Sequence, residues 1–157
     1  MDLSAAYHQA KRDEEIARLR RVLALRAMQA EGMSQRQIAE AVGISQPAVS
    51  QQLAGAPALG SLDPEVLMAA AAPVLRDLAA SHGYGNLAVF GSVARHEARV
   101  DSDIDLLVDV PAGTSGFGFV RFKELLERVL GRQVDLVSRG GLKPRIDDDI
   151  RAEAVLL

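Results

Sequence analysis

Apolar residues in the first part of the chain recur at helical spacing. Ile16, Leu19, Leu23, Ala27 and Ala30 fall at steps of three and four, with Arg18, Arg21 and Arg26 largely off that stripe. The spacing predicts an amphipathic helix over about 13–31, stopped by Gly32. Ser34 then reads as the N-cap of a short helix through Val42, with Ile38, Ala39 and Val42 inward and Gly43 as a left-handed C-cap. Ser45 caps a third helix to about Leu53, and Pro47 is tolerated in its first turn because the amide there needs no helical partner. Residues 54–64, AGAPALGSLDP, are small residues, Gly and Pro, and read as a linker. Asp63, Pro64 and Glu65 open a further helix that Pro73 kinks or splits before it ends near Gly83.

Beyond Gly83 the period changes. Leu87 to Phe90 is a short apolar strand, Gly91-Ser92 a turn and 93–98 a short helix. Asp103 to Val110 alternates strictly and reads as a strand. Residues 117–130 form an amphipathic helix ending at Gly131, 133–138 a third strand, and 143–155 a last helix. Strands and helices interleaved in this order predict a sheet covered by helices behind an all-helical front part. The division expected is 1–54, a linker at 55–62, and 63–157.

Composition narrows the chemistry. The chain has no cysteine, so neither a disulfide framework nor a thiolate zinc site is available. His8, His82 and His96 are scattered and lack ligand spacing. The first residues lack a basic start followed by an apolar stretch, and no run approaches a bilayer span; a soluble cytoplasmic protein is expected. The net charge of −3 hides an asymmetry. Residues 1–54 hold seven Lys and Arg against six Asp and Glu, and the remainder eleven against fifteen. Neither part is polybasic, so any DNA binding rests on local placement of groups such as Arg18, Arg20, Arg21 and Arg36.

The segment DSDIDLLVDV carries the candidate chemistry. On a strand, Asp103 and Asp105 share one face about 6 to 7 Å apart, while Ile104, Leu106, Val108 and Val110 fill the other. Two carboxylates on one face repel each other and are costly to desolvate. A divalent cation between them relieves both effects, and oxygen ligands favour magnesium or manganese. Gln133 to Val137 again places one acid, Asp135, on an otherwise apolar strand. Beside the first strand it would complete a three-carboxylate cluster able to hold two metals, which can clamp an in-line phosphoryl displacement. Asp135 is then suited to take a proton from an acceptor hydroxyl. Gly91 and Ser92 offer turn amides and a hydroxyl to a phosphate, and Arg95 lies one turn on. Asp101 and Asp109 share the parity of the pair but sit at the strand ends, and read as solvated.

These stretches, Phe90-Gly-Ser-Val-Ala-Arg, Ser102-Asp-Ile-Asp-Leu-Leu-Val and Val134-Asp-Leu-Val, resemble the minimal nucleotidyltransferases of the polymerase-beta superfamily. The resemblance covers about 63–157, including Gly141-Leu-Lys-Pro-Arg and Ala152-Glu-Ala-Val-Leu-Leu. It implies a polymerase-beta-like α/β domain with a short mixed sheet, and hence an α+β chain overall. It further implies that Gly91 and Ser92 bind nucleotide phosphate, with Arg95 beside them. Asp103, Asp105 and Asp135 become the metal-binding catalytic acids, using two Mg2+ ions (or Mn2+) and ATP as substrate. One departure is His96, where such proteins usually carry Gly; a bulky residue there would narrow the nucleotide approach.

Residues 34–53, SQRQIAEAVGISQPAVSQQL, resemble a helix-turn-helix of the Cro/repressor type. Small Ala39 lets the two helices approach, Gly43 supplies the turn, and Ile38, Val42, Ile44, Val49 and Leu53 point inward. Ser45, Gln46, Ser50 and Gln51 face out, with side chains suited to major-groove edges, and Arg36 is placed for phosphate. The weak charge implies binding as a dimer on paired half-sites.

The two resemblances together imply a protein adenylyltransferase antitoxin. It would transfer AMP to a hydroxyl, a tyrosine, of a cognate HEPN-domain toxin, bind its own operator DNA, and act as a homodimer or as a hetero-oligomer with the toxin, away from any membrane. Two other readings stand beside it: a DNA-binding regulator with a non-catalytic transferase scaffold, and a small-molecule transferase of the antibiotic type.

Overall fold

The computed structural model describes residues 2–55 and 58–157. Ala56 and Pro57, within the expected linker, lie outside them. Helix α1 spans Leu3–Ala30 and is capped by Asp2, whose carboxylate accepts from the amides of Ser4 and Ala5. It starts a full ten residues before the expected position, because Asp2 supplies a cap that the apolar stripe does not mark. Residues 2–15 are exposed throughout, so only the second part of α1 is packed.

That packed part has two working faces. Leu19, Leu23 and Ala27 enter a large core with Leu67, Leu75, Phe122, Leu126 and Ile104. Leu25 turns the other way into a small core with Ile38, Ala39 and Val49, bordered by Met28, Met33 and Leu53. Helices α2 (Gln35–Val42) and α3 (Gln46–Ala54) follow the expected caps closely. Ser34 and Gln37 form a reciprocal capping box, Ser45 accepts from the amide of Ala48, and Gly43 takes φ +74. Two inward expectations fail: Val42 is 39% and Ile44 36% exposed. The small core is built on Leu25 of α1, and the side of the turn bearing those two side chains meets solvent.

The expected linker is not slack where it is described. Leu59–Ser61 forms a single 3-10 turn, and Leu59 is buried in the large core. The Arg132 guanidinium gathers this stretch, donating to the carbonyls of Leu59, Gly60 and Leu62, and also to those of Val100 and Ser102. Helix α4, Pro64–Ser81, then runs through Pro73 without splitting. Proline lacks an amide hydrogen, so the Ala69 carbonyl loses its helical donor. Arg20, across the interface on α1, supplies the replacement: Nη2 donates to Ala69 at 3.0 Å and Nε to Ala70 at 2.9 Å. Arg20 is therefore a brace between helices and not a free DNA contact.

Strand β1 (Gly85–Phe90) leads through the short helix α5 (Gly91–Ala94) to β2 (Ile104–Asp109). Helix α6 (Gly116–Leu130) ends at Gly131, φ +65, and leads to β3 (Val134–Ser138). The sheet order is β3-β2-β1-β4, with β2 and β3 parallel and β1 antiparallel to both its neighbours. One face rests on α1, α4 and α6 through Leu87, Val89, Ile104, Leu106, Val108 and Val134. The other face carries a smaller cluster of Ala88, Phe90, Leu107 and Leu142.

The C-terminal part departs most from expectation. In place of one helix over 143–155 there is a 3-10 turn at Arg139–Gly141, helix α7 over Asp148–Glu153, and strand β4, Val155–Leu156, paired with β1. Arg145 adopts φ +71, which no helix can contain. The carboxylates of Asp147 and Asp148 accept from the amides of Lys143 and Arg145, so the helix starts only at Asp148. Ile146 and Val155, expected to bind that helix to the sheet, are 75% and 53% exposed; Ile150 alone of the three packs there.

The Arg20 brace makes a double-mutant cycle informative. Arg20→Ala should lower stability by about 1–2 kcal/mol in the native background, the worth of hydrogen bonds from a charged donor. With Pro73→Ala, which restores the helical amide donor for Ala69, the same change should cost clearly less. Equal losses in both backgrounds, read by urea denaturation, would sink the pairing of Arg20 with Pro73.

Candidate active site and DNA-binding face

The register of three strands assembles the site. Phe90 on β1 lies opposite Asp105 on β2, and Asp105 lies beside Asp135 on β3. The two acids thus occupy neighbouring strands at one level, on the face bearing Phe90 and Leu107 rather than the one against the helices. Asp103 stands just before β2 and is exposed, as is Asp135; Asp105 is half-buried. The parity expected for Asp103 and Asp105 is kept, although the strand opens one residue later than expected.

Burial is the largest cause pushing the Asp105 carboxyl up, to about 6, followed by the charges of Asp135 and Asp103, with Arg95 opposing. Its carboxylate packs directly on the Gly91 turn. Gly91 takes φ +71, and a Cβ built there would lie 3.0 Å from the Asp105 carboxyl carbon. Two independent constraints, a left-handed backbone and a carboxylate against Cα, therefore require glycine at position 91.

Among the described residues no three His, Asp or Glu side chains are drawn together as a ready-formed metal cage. The expected cluster is instead a close pair, Asp105 with Asp135, and a third acid at the mouth of the strand. The donor set still suits a hard divalent cation. All three are carboxylates, and Asp105 is charged only against both desolvation and its neighbours' repulsion, which a cation would offset.

At the Gly91 turn the structure adds a residue that the sequence reading did not single out. The Gly91 amide donates to Glu153 Oε1 at 3.0 Å, and Arg95 Nη1 donates to Glu153 Oε2 at 3.0 Å. Arg95 Nε also donates to Glu97 at 3.1 Å. Glu153 lies in the closing Ala152-Glu-Ala stretch, which belongs to the resemblance but names no role. Ser92 is half-buried in α5, beside Gly91. Arg132 is the other residue overlooked, since it ties down the Val100 and Ser102 carbonyls just before Asp103.

His96 adopts φ +59, a left-handed conformation that glycine takes at least cost. Its ring is held by Glu65 at the start of α4, 2.6 Å from Nδ1 to Oε1. Asp109, expected to be merely solvated, instead accepts from Asn86 and Arg139, and these two donors hold its carboxyl below the usual range. Asp101 is exposed. A cavity of about 440 Å³, lined among others by His82, Tyr84, Thr114 and Arg121, lies at the far end of the sheet from the acids.

On the helix-turn-helix, Gln46, Ser50 and Gln51 are exposed along α3. Ser45 is exposed too, but its hydroxyl oxygen accepts from Ala48 as the cap. Arg36 is 82% exposed and 3.7 Å from Glu40, a weak surface pair that leaves it free to reach outward.

Residues 74–157 match the nucleotidyltransferase domain family, and residues 19–54 match the bacterial regulatory protein family of the arsR type. The second match replaces the Cro/repressor type expected from the turn alone; it begins at Leu19 and so includes the packed part of α1. The protein adenylyltransferase MntA of Thermococcus cleftensis is 40% identical over 80 residues, 51% of this chain and 81% of that protein. A Methanocaldococcus jannaschii protein assigned as a protein adenylyltransferase is 43% identical over 74 residues, 47% of this chain and 80% of its own length. A solved structure assigned as a minimal nucleotidyltransferase aligns with a TM-score of 0.53 at 47% identity, covering 61% of this chain and 97% of its own. No helix among the described residues is long and apolar enough to cross a membrane. With the acids and the glycine turn in place on a four-stranded mixed sheet, the chain belongs to the nucleotidyltransferase family, and it carries in front of that domain a helix-turn-helix matching the arsR regulators.

Proposed function

We propose that the protein transfers AMP from ATP to a side-chain hydroxyl of a separate protein and binds its own operator through the helix-turn-helix. The observation that carries the reading is the row formed by Gly91, Asp105 and Asp135 on an open face of the sheet. Relatives named as protein adenylyltransferases support it. Following the resemblance to the minimal nucleotidyltransferases, the acceptor is a tyrosine of a HEPN-domain toxin and the protein is the antitoxin.

The Gly91 amide, the Ser92 hydroxyl and Arg95 bind the triphosphate and fix it along the end of β1. Asp103, Asp105 and Asp135 would hold Mg2+, which when bound supplies charge neutralisation for the transferring phosphoryl group. Asp135, exposed at the edge of the pair, takes the proton of the acceptor hydroxyl as its oxygen bonds to the α-phosphorus. The bond from that phosphorus to the bridging oxygen breaks, and pyrophosphate leaves. Docking of a protein segment on the open face supplies the orientation that such a step requires.

Asp105→Asn tests the carboxylate pair without any acceptor. In EDTA the variant should unfold at higher temperature than the native chain, by a stability gain of about 1–2 kcal/mol after discounting for partial solvation of the pair. Added Mg2+ should raise the midpoint of the native chain and leave that of the variant nearly unmoved. A variant that is less stable in EDTA would show that the pair is not under repulsion.

Co-expression with the protein encoded alongside tests the acceptor. Mass spectrometry should show added mass in units of AMP on that partner, lost with Asp135→Asn and with Asp103→Asn combined with Asp105→Asn. An unmodified partner, together with efficient adenylylation of a purified small molecule, would instead establish the antibiotic-type activity.

Gln46→Ala with Gln51→Ala should weaken binding to the upstream DNA at least several-fold at fixed salt while sparing transfer. Unchanged affinity in a gel-shift titration would make the three-helix unit a docking module.

A further inference from the structure

Glu153 stands where an incoming nucleotide would have to bind. Its two carboxylate oxygens accept from the Gly91 amide and from Arg95 Nη1, both at 3.0 Å. These are two of the donors assigned above to the triphosphate. One carboxylate, supplied from 62 residues further along the chain, thus satisfies both at once. It does so in a corner that already holds Asp103, Asp105 and Asp135, and Glu153 adds to the charge opposing ionisation of Asp105. A triphosphate cannot share these donors with Glu153, because both are anions seeking the same two N–H groups.

We propose that Glu153 is an intramolecular stand-in for the nucleotide phosphates, a gate that must withdraw from Gly91 and Arg95 before ATP binds. The gate is built so that it can move. It sits at the last position of α7, a helix of six residues without a side-chain cap and without a buried residue. Within its span Ile150 packs on the sheet cluster and Arg151 makes one long hydrogen bond, 3.5 Å, to the Leu142 carbonyl. Beyond it, β4 stays paired with β1, through Val155 opposite Val89, Leu156 opposite Ala88, and the Leu157 amide donating to Leu87. Withdrawal therefore swings α7 about a fixed C-terminal strand, without unpairing the sheet. With the gate closed, the Gly91 amide and Arg95 Nη1 are both paired, so the nucleotide-free state holds these two donors satisfied. The cost is apparent affinity: the chain binds nucleotide only in the fraction of molecules with the gate open.

This inference rests on the assignment of Gly91 and Arg95 to phosphate, so its test measures nucleotide binding directly and needs no acceptor. The full chain, Glu153→Gln and Glu153→Ala are titrated with α,β-methylene ATP and Mg2+ by calorimetry, and hydrogen exchange is followed across residues 148–153. Glu153→Ala should bind the analogue roughly three- to tenfold more tightly than the native chain. Glu153→Gln, which keeps an acceptor and loses the charge, should fall between them. In the native chain the analogue should accelerate exchange over 148–153, a readout that involves no substitution and so is immune to misfolding of a variant. Weaker or equal binding by both variants, or slower exchange on binding, would make Glu153 a brace for Arg95 and overturn the gate. Failure of every form to bind would overturn the phosphate assignment and the gate with it. Binding with the expected order but no modified partner would leave the gate standing and remove the acceptor reading alone.

Discussion

A half-buried carboxylate held against another carboxylate is the interaction on which the rest of the molecule depends. Asp105 cannot leave its place, because the residues on either side of it, Ile104 and Leu106, are wholly buried on the opposite face. Shifting β2 by one residue would expose both and bury the acid in their place. The same register sets Asp135 at its side and the Gly91 turn against its oxygens. The core thus fixes charges where they repel, and the strain is local: neutral surroundings would stabilise the fold, whereas in the proposed reading a divalent cation would offset the repulsion.

The two units of the chain are joined more closely than a flexible linker would allow. One helix, α1, gives Leu19, Leu23 and Ala27 to the transferase core and Leu25 to the helix-turn-helix core. Arginines stitch the joint through backbone carbonyls. Arg20 serves the gap left by Pro73, Arg26 the end of α6 at Arg128 and Val129, and Arg132 the stretch around Leu59 together with the loop before Asp103. Planar guanidinium groups suit this task, since each presents several donors in a fixed fork. The loop that delivers Asp103 is therefore tied to the same arginine that anchors the chain ahead of α4.

Much of this was legible in the sequence, where a local rule decides the outcome. Ser34, Gly43, Ser45 and Gly131 mark helix ends by capping chemistry, and the alternation around Asp105 gives both the strand and its faces. What escaped is settled by distant partners. Pro73 does not split α4, and the lost donor is replaced by Arg20, which lies 50 residues before its acceptor Ala70; no window around Pro73 contains that fact. Val42 and Ile44 look inward by period but lie at the edge of the small core, partly open to solvent. The last helix is shorter than its apolar stripe predicts, because Arg145 and the acids after it redirect the backbone. Glu153 illustrates the limit most clearly. Its meaning lies in a contact with Gly91 that only the paired β4 strand makes possible.

The central claim, that this row of acids and the glycine turn move a nucleotidyl group to a protein hydroxyl, is tested most directly by the position of the label. The protein and its co-encoded partner are incubated with Mg2+ and ATP labelled either at the α- or at the γ-phosphorus. Label from the α position should enter the partner and be absent with Asp135→Asn, while the γ label should appear only in released pyrophosphate. Incorporation of the γ label into the partner, or α-label incorporation that survives loss of Asp135, would contradict it.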